Sequence, residues 1–387
     1  MTREEAIARD LTRNVWTVMG LPFDCTTEQE TTDHLIDAML KEERCFFTTP
    51  NLNFAITAQN DSQFRDSVIN SDWVVADGMP LIWIAKTLGI PLPERVAGSS
   101  VFERVRQEYR NPDRPIRVVF FGGPDGTAAE AFKKIALDNS SMEVVGFYSP
   151  GFGSMDEMSD PKVIKQINQS DADLLIVALG AKRGQQWIEL NRHDLDVPVI
   201  SHLGAVINFV AGTVNRAPLW IQRSGLEWLW RIWEETSLFK RYWHDGRAFI
   251  WQYLTKIRPY KDLMQKQSQL PQIPLEFSYL NDSNTLQISG DALHRNLSNL
   301  RSALIELIEE ERVRVIDLKG LSRLDGSFIA LLQLVQKQIN ISGHSLTLKN
   351  LDSVHLQQFE YACVSDQFTI IQHPSPVDDV SLAPTQS

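Results

Sequence analysis

Asp77 is the residue whose type and position most directly suggest chemistry. It ends the apolar run 73–76 and is followed by Gly78 and a helical stretch. If the run is a strand of a parallel sheet, Asp77 lies at the edge where such sheets bind ligands. A carboxylate there can accept a proton from an attacking hydroxyl, or bind a ribose or a metal. An Asp-Gly pair is equally typical of a turn, so the dipeptide alone leaves both interpretations open.

Three other segments follow strand-like runs or lie close to one, and could line the same edge. Thr49 and Asn51 flank a proline before a helical stretch, which favours helix capping over ligand contact. Arg95 can pair with phosphate oxygens, although a salt bridge with a nearby acid is the simpler interpretation. Gly122 and Gly123 could bring the backbone close to a phosphate, and a tight turn explains them equally well.

Several well-known chemical motifs are absent from the sequence. It has no GxGxxG fingerprint, no P-loop, no GxSxG elbow and no HExxH or CxxC pair. The motif Asp171-Ala172-Asp173 resembles the DxD metal motif of sugar-nucleotide transferases, but it precedes the strand-like run 174–177 instead of following it. We therefore interpret it as structural and predict no metal site.

The elements that would position these residues alternate along residues 15–214. Strand-like apolar runs such as 45–49, 117–121 and 173–179 are each followed by a helical stretch. This alternation predicts an α/β fold with a Rossmann-like parallel sheet, covered by helices on both faces.

Length and composition limit the classes of protein to be considered. The 387 residues allow two or three domains. With 43% hydrophobic and 22% charged residues the chain is typical of globular proteins, and its net charge of −11 argues against a dedicated nucleic-acid binder. The three scattered cysteines fit a reducing compartment. Because neither a signal peptide nor a membrane-spanning run is visible, we expect a cytoplasmic protein that can still touch a membrane surface.

Residues 215–262 differ in composition from the rest of the chain. They hold six of the ten tryptophans, and nine Lys and Arg against five Asp and Glu give a net charge of +4. A basic aromatic stretch can lie in a membrane interface. Packing of these tryptophans on the first domain, or in a homo-oligomer, is the favoured alternative from composition alone.

The remaining residues predict a second domain. Residues 263–274 are polar and read as a linker, and residues 275–373 alternate short strands with helices, which indicates a small mixed α/β domain. The tail 374–387 is predicted to be disordered.

Residues 15–250 carry motifs that resemble the WecG/TagA/CpsF family (glycosyltransferase family 26). The motifs are Thr49-Pro50-Asn51, SDWVVADGMPLIWIAKTLGIPLPERVAGSSVFE (71–103), VVFFGG (118–123), DADLLIVALGA (171–181) and FVAGTVNRAPLWIQRSGLEWLWRIWEE (209–235). The resemblance implies that residues 1–214 form an inverting, metal-independent glycosyltransferase domain without a cofactor. It would transfer N-acetylmannosamine, its uronic acid or glucuronic acid from a UDP-sugar to a polyprenyl-diphosphate-linked sugar in the inner leaflet, for cell-surface polysaccharide synthesis.

The same resemblance implies a role for individual residues. Asp77 would be the general base, Thr49 and Asn51 would form the polar wall of the pocket, and Arg95 would stabilise the diphosphate leaving group. Gly122 and Gly123 would lie on the nucleotide side. Residues 215–262 would be a membrane-docking appendage whose arginines close the site; the candidates are Arg216, Arg223 and Arg231.

Three departures from the family pattern surround the nucleotide side of the pocket. Lys182-Arg183-Gly184-Gln185-Gln186-Trp187 replaces a P-K-Q-E-x-W pattern, Asn208 replaces an aspartate, and His202 replaces a glycine. We keep Gln185 and Asn208 as substrate-binding candidates. The departures could alter donor choice, with Lys182 or Arg183 pairing with a uronate, or they could mark a non-catalytic scaffold. A Rossmann dehydrogenase is a weaker alternative, because the glycine fingerprint is missing.

Residues 275–373 resemble a STAS domain, through the segment VIDLKGLSRLDGS (315–327), the glycine at 343 and SLTLKNL (345–351). STAS domains bind protein partners, and many are switched by phosphorylation of a serine that follows the aspartate. Gly326 stands at that position here, so the usual switch is expected to be absent. Ser327 could substitute for it, although helix capping is its default role.

Overall fold

The computed structural model describes residues 2–123, 126–137, 141–151, 153–212, 217–218, 221, 227–234 and 238–372. It contains two compact units, one formed by residues 14–261 and the other by residues 1–13 together with 262–387. The first helix, α1 (Arg3–Thr12), therefore belongs to the C-terminal unit. This differs from the division expected from the sequence, which assigned residues 1–214 to one domain.

A six-stranded parallel sheet forms the centre of the unit 14–261, in the order β4-β3-β8-β7-β5-β6. A small antiparallel hairpin, β1–β2, precedes it. The strands are β1 (Val15–Val18), β2 (Leu21–Asp24), β3 (Cys45–Thr48), β4 (Trp73–Val74), β5 (Ile116–Gly122), β6 (Met142–Tyr148), β7 (Leu174–Ala178) and β8 (Val199–His202).

Helices cover both faces of this sheet. Successive residues of a strand point to opposite faces, so each face carries apolar side chains that pack under its helices. Phe120 packs in one hydrophobic core and Phe121 in the other. The expected Rossmann-like α/β fold is thus confirmed. The helices are α2 (Glu28–Leu40), α3 (Leu52–Ala58), α4 (Ser62–Ile69), α5 (Met79–Leu88), α6 (Gly98–Glu108), α7 (Thr127–Ala136), α8 (Met155–Met158), α9 (Pro161–Asn168), α10 (Ala181–Asn191) and α11 (Gly204–Ala211).

The aromatic segment continues as further helices. They are α12 (Glu227–Glu234), α13 (Phe239–Gln252), a π-helical turn (Tyr253–Ile257) and α14 (Arg258–Ser268). Asn53 Nδ2 of α3 donates to the buried Asp245 Oδ1 of α13 over 3.2 Å. Six residues after Asn53 and seven after Asp245, the amides of Gln59 and Gln252 bond reciprocally at 2.9 and 3.2 Å. Helix α14 extends to Ser268, into the segment that the sequence suggested was a linker.

The C-terminal unit is built on a five-stranded mixed sheet in the order β13-β12-β11-β10-β9, in which only the β9–β10 pair is antiparallel. Its strands are β9 (Glu276–Leu280), β10 (Thr285–Ala292), β11 (Val315–Leu324), β12 (Thr347–Lys349) and β13 (Thr369–Ile371), and its further helices are α15 (Ser298–Glu309), α16 (Gly326–Ile341) and α17 (Ser353–Tyr361). The small mixed α/β domain is confirmed, and the predicted disordered tail lies outside the described residues.

Helix α1 completes the C-terminal unit by packing on α15 and α16. Asp10 is almost fully buried. Its carboxylate forms an ion pair with Lys337 Nζ at 2.8 Å and accepts a hydrogen bond from Gln338 Nε2 at 2.5 Å. Arg301 of α15 donates to the carbonyl of Arg13 at 3.1 Å. The two separated chain segments are therefore joined by a polar network inside an otherwise apolar interface.

Candidate active site

Two loops at the carboxyl edge of the sheet bring the predicted site residues together. One connects β3 to α3 and carries Thr49 and Asn51, and the other connects β4 to α5 and carries Asp77. The backbone N–H of Asp77 donates to the carbonyl of Pro50 over 2.9 Å, which ties the loops to each other. Asn51 caps α3 by accepting from Phe54 N–H at 3.2 Å, so the capping interpretation is confirmed.

The N-terminus of α6 closes the same site. The backbone N–H of Gly98, the first residue of α6, donates to the Asp77 carboxyl, and no side chain of the preceding residue caps this helix. A Cβ at position 98 would lie 3.1 Å from Thr49 Cγ2 and would overlap the Leu203 side chain. Glycine at this position is what allows Thr49, Asp77 and α6 to approach one another.

The Asp77 carboxyl has the electrostatic surroundings of a base. Burial raises its pKa to about 6, and the nearby Glu227 carboxylate pushes the pKa in the same direction. Arg95, Arg231 and the Gly98 N–H oppose this shift without cancelling it. A carboxylate with this pKa is mostly ionised at neutral pH and is a better proton acceptor than an ordinary aspartate.

Arg95 and Glu227 form an ion pair beside Asp77. Arg95 Nη1 lies 2.6 Å from Glu227 Oε2, and the two side chains are only 16% and 18% exposed. Burial disfavours the charge of the guanidinium, but Asp77 and Glu227 outweigh burial and raise its pKa. The salt bridge favoured for Arg95 from the sequence exists, with Glu227 as its partner.

Glu227 is a site residue that the sequence analysis did not identify. It opens α12 in the aromatic segment, and Arg231, one turn later on the same helix, also acts on the Asp77 carboxyl. The sequence feature that could have identified Glu227 is its position in the GLEW portion of the motif at 209–235. Arg231 thus lies close enough to Asp77 to act on its charge, and the closing of the site by Arg231 stays a prediction, whereas Arg216 and Arg223 lie outside the described residues.

Gly122 and Gly123 form the turn at the end of β5. Both have left-handed backbone conformations, with φ of +91° and +87°. The N–H of Gly123 donates to the Ala178 carbonyl at 2.8 Å, and a Cβ on Gly122 would lie 2.8 Å from that oxygen. The turn interpretation is confirmed, and contact with a phosphate stays a prediction.

Gln185 lies in the interior of the domain and has no solvent exposure. Its Nε2 donates to Thr48 Oγ1 at 3.2 Å, and the Thr48 hydroxyl also shares a hydrogen bond with Ser71. Gln185 therefore supports the end of β3, next to Thr49. Asn208, the other candidate on this side, is half-buried on α11.

The charged residues of the altered 182–186 segment have partners within the protein. Lys182 Nζ lies 2.5 Å from Asp61 Oδ2, and Arg183 Nη2 donates to the Gly153 carbonyl at 2.5 Å. The DxD-like motif is structural, as predicted, because Asp173 binds Arg114 through both carboxylate oxygens at the opposite edge of the sheet. Among the described residues, no group of three or more His, Cys, Asp or Glu could hold a metal ion.

In the C-terminal unit, Asp325 and not Ser327 caps the central helix α16. Asp325 accepts from the N–H groups of Ser327 and Phe328 at 3.0 and 3.1 Å. Ser327 is completely buried, and its hydroxyl lies 3.1 Å from His294 Nδ1. The capping role expected for Ser327 is therefore wrong, since Asp325 occupies the cap position two residues earlier.

No helix within the described part of the chain is long and apolar enough to span a bilayer. Four neighbouring elements expose large apolar side chains to solvent. These side chains are Trp83 of α5, Trp228 and Trp233 of α12, Phe239, Trp243, Ile250 and Trp251 of α13, and Leu254 of the π-helical turn.

Comparison with known proteins identifies the families to which the two parts of the chain are similar. N-acetylglucosaminyldiphosphoundecaprenol N-acetyl-β-D-mannosaminyltransferases from Bacillus spizizenii and Bacillus subtilis are each 26% identical, over 54% and 48% of this chain and 79% and 70% of their own. The Staphylococcus aureus enzyme of the same name is 22% identical over 55% of this chain and 82% of its own. The model of the Mlab STAS domain matches residues 277–371, and that of the WecG/TagA/CpsF glycosyl transferases matches residues 16–262. The chain therefore belongs to the WecG/TagA/CpsF glycosyl transferase family and carries a C-terminal STAS domain.

Proposed function

We propose that the protein is an inverting glycosyltransferase that moves a sugar of the N-acetylmannosamine or uronic acid type from a UDP-sugar to a polyprenyl-diphosphate-linked acceptor. The observation that carries the proposal is the Asp77 carboxyl, half-buried at the carboxyl edge beside Arg95, Glu227 and Arg231. The relatives are named for transfer to N-acetylglucosaminyldiphosphoundecaprenol, which supports a lipid-linked acceptor here.

Asp77 would act on the acceptor hydroxyl. Its oxygen attacks the anomeric carbon of the donor sugar from the face opposite UDP, the proton passes to the Asp77 carboxylate, and the bond from the anomeric carbon to the diphosphate oxygen breaks. UDP leaves with the bonding electrons. The raised pKa of Asp77, about 6, favours this proton transfer.

Arg95 and Arg231 would stabilise the negative charge that develops on the leaving diphosphate. Both guanidinium groups act on the Asp77 carboxyl, so they lie close to the place where the bond breaks. Glu227 holds Arg95 over 2.6 Å, which fixes the orientation of the guanidinium while its other nitrogens can contact an anion.

The exposed aromatic surface of α12, α13 and the π-helical turn would dock on an anionic membrane. Phe239, Trp243, Ile250 and Leu254 recur at intervals of four and seven residues, which places them on one helical face. Basic residues are exposed on α13 and at the start of α14: Lys240, Arg241, Arg247 and Arg258. Apolar side chains for the interface and cations for lipid phosphates are the two requirements of a surface-bound helix.

Release of UDP is the direct test of the proposed reaction. Purified protein would be mixed with an N-acetylglucosaminyl-diphosphate-lipid analogue and a set of UDP-sugars, including N-acetylmannosamine and its uronic acid. The exposed Asp37, changed to Asn, provides the matched control for Asp77→Asn. Release with one donor, retained in Asp37→Asn and lost in Asp77→Asn, is the expected result. Binding of UDP without release for every donor would contradict transfer and favour the scaffold alternative.

Membrane docking is tested by co-sedimentation with vesicles. The double variant Trp243→Ala/Trp251→Ala should lose most of its binding to phosphatidylglycerol vesicles. The exposed Leu190 of α10, changed to Ala, is the control. Equal sedimentation of the double variant and the control would contradict docking by α13.

The STAS domain is proposed to bind a protein partner without a phosphorylation switch at Ser327. The complete burial of this side chain and its contact with His294 keep the hydroxyl away from a kinase. Mass spectrometry of the protein from its native cells should find Ser327 unmodified.

A further inference from the structure

His202 occupies the middle of the ligand edge of the large sheet. It is the last residue of β8, and β8 lies between β3, which leads to Thr49, and β7, which adjoins the β5 turn at Gly122. The side chain is therefore located between the part of the edge that carries the base and the part that carries the glycine turn.

Two glycines leave space for the His202 ring. A Cβ on Gly184 would overlap the ring, with Cγ and Nε2 of His202 at 3.0 Å, and a Cβ on Gly204 would lie 3.4 Å from Nε2. Gly184 lies inside α10 without a positive φ, and glycine inside a helix costs about 1 kcal/mol relative to alanine. The backbone of α10 does not require glycine at this position, whereas the imidazole does.

The ring has a buried polar atom without a partner. Nε2 of His202 makes no hydrogen bond with any residue that the structure describes, and solvent does not reach it. A neutral imidazole carries one donor and one acceptor nitrogen, and burial lowers the pKa of His202 to about 4. A buried polar atom without a partner costs about 1–3 kcal/mol, unless a ligand supplies the partner.

We infer that His202 is a specificity-determining residue whose Nε2 hydrogen-bonds an uncharged hydroxyl or amide group of the bound UDP-sugar. The inference rests on the proposed function for the identity of the ligand. Lys182 and Arg183, which could have bound a charged sugar from α10, are engaged with Asp61 and the Gly153 carbonyl. The uncharged group belongs either to the sugar or to the nucleoside, and the two sources can be distinguished by experiment.

Calorimetric binding of UDP and of UDP-N-acetylmannosamine to the full chain tests the inference. His202→Phe keeps a ring of similar shape and removes the nitrogen, so affinity should fall about 3- to 10-fold, as for one neutral hydrogen bond. A loss for the UDP-sugar alone would assign the contact to the sugar, and a loss for both ligands would assign it to the nucleoside. His202→Gln, which can place an amide nitrogen near the same point, should restore part of the affinity. The exposed His193, changed to Phe, is the matched control.

Stability separates this role from a structural one. Because His202→Phe removes a buried polar atom that has no partner in the free protein, its melting temperature should equal or exceed that of the wild type. Unchanged affinity for both ligands in His202→Phe would overturn the inference, whether or not transfer occurs. Binding of the UDP-sugar without turnover would contradict the proposed transfer alone.

A spectroscopic measurement on the wild type does not depend on the variants folding. In protein labelled with ¹⁵N-histidine, the Nε2 resonance of His202 should move when UDP-N-acetylmannosamine is added, and that of His193 should not. Absence of any change at saturating UDP-sugar, or absence of any binding of UDP compounds, would overturn the inference.

Discussion

Asp77 and Asp10 are both enclosed by protein, yet the structure treats their charges in opposite ways. Burial raises the pKa of Asp77 to about 6. Arg95 does not cancel this shift, because its positive charge is shared with Glu227, with which it forms an ion pair. Burial also opposes ionisation of Asp10, but Lys337, Arg13 and Gln338 together hold the pKa of Asp10 below its usual value. A carboxylate saturated with donors is a structural anchor, whereas one left short of donors keeps the capacity to take up a proton.

The surroundings of the two residues differ in a subtler way. At the carboxyl edge of the large sheet, Nε2 of His202 is buried and has no hydrogen-bond partner among the described residues. At the interface of α1 with α15 and α16, Lys337 bonds Asp10, and Arg301 bonds a backbone carbonyl through Nη1, while its Nη2 is buried without a partner among the same residues. An unpaired polar atom therefore points to a ligand only where its place in the fold, such as the carboxyl edge of a parallel sheet, also does.

The largest effect is expected from Asp77→Asn. Loss of the proposed general base should lower kcat/KM for UDP release about 10²- to 10⁴-fold. The raised pKa means that Asp77 favours folding at low pH, and that this contribution is lost as the pH rises through about 6. Asparagine removes the buried charge, so the variant should be at least as stable as the wild type at pH 8. Thermal unfolding alongside the kinetics checks both statements. If Asp77→Asn were inactive because it is unfolded, Asp77 would be a structural carboxylate like Asp10, and the contrast between the two residues would be lost.

Lys337→Met should have a large effect on stability. It removes the ion pair of Lys337 with the buried Asp10 and leaves Arg13, at 3.4 Å, as the remaining cation, at a cost of up to about 3–5 kcal/mol to the C-terminal unit. All ten tryptophans lie in residues 14–261. Circular dichroism in urea should therefore show the early unfolding, while tryptophan fluorescence should stay close to that of the wild type.

The exposed pair Lys41–Asp37, with N···O of 2.9 Å, provides the control for this variant. Lys41→Met should cost far less stability than Lys337→Met, because both members of the pair are exposed to solvent. Equal losses in the two variants would mean that the Asp10 network does not hold α1 in place.

Glu227→Gln should have an intermediate effect. Removing this charge takes away one repulsion on Asp77 and frees Arg95 to act on it, so the pKa of Asp77 should fall. Since activity requires the ionised carboxylate, the acidic limb of the kcat/KM profile should move to lower pH. Loss of the charge-assisted bond that orients Arg95, worth about 1.5–3 kcal/mol, should also lower the maximum rate.

Arg231→Gln is the companion measurement for Glu227→Gln. The positive charge of Arg231 lowers the pKa of Asp77, so its removal should move the acidic limb to higher pH. Limbs that move in the same direction in both variants would contradict the assignment of Asp77 as the titrating base.

The sequence was sufficient for the sheet and for the position of Asp77 at its carboxyl edge, because the alternation of strands and helices determines both. Asp77 and Thr49 each follow a strand, and in a parallel sheet all such positions share one edge. The partner of α1 could not be predicted, since nothing in residues 3–12 indicates that Asp10 pairs with Lys337, more than 300 residues away. The interior position of Gln185 and the pairing of Glu227 with Arg95 also depend on packing between distant elements, which local patterns do not record.

Ser327→Ala is expected to have the smallest effect. The Ser327 hydroxyl lies 3.1 Å from His294 Nδ1, and the loss of this hydrogen bond should cost the C-terminal unit about 0.5–1.5 kcal/mol. Urea unfolding followed by circular dichroism measures this, with the exposed Ser302, changed to Ala, as the control. UDP release should be unchanged in both variants, because neither side chain belongs to the unit that carries Asp77. A loss of UDP release in Ser327→Ala, with unfolding unchanged, would mean that this serine regulates the transferase and that the C-terminal unit is more than a stable interaction module.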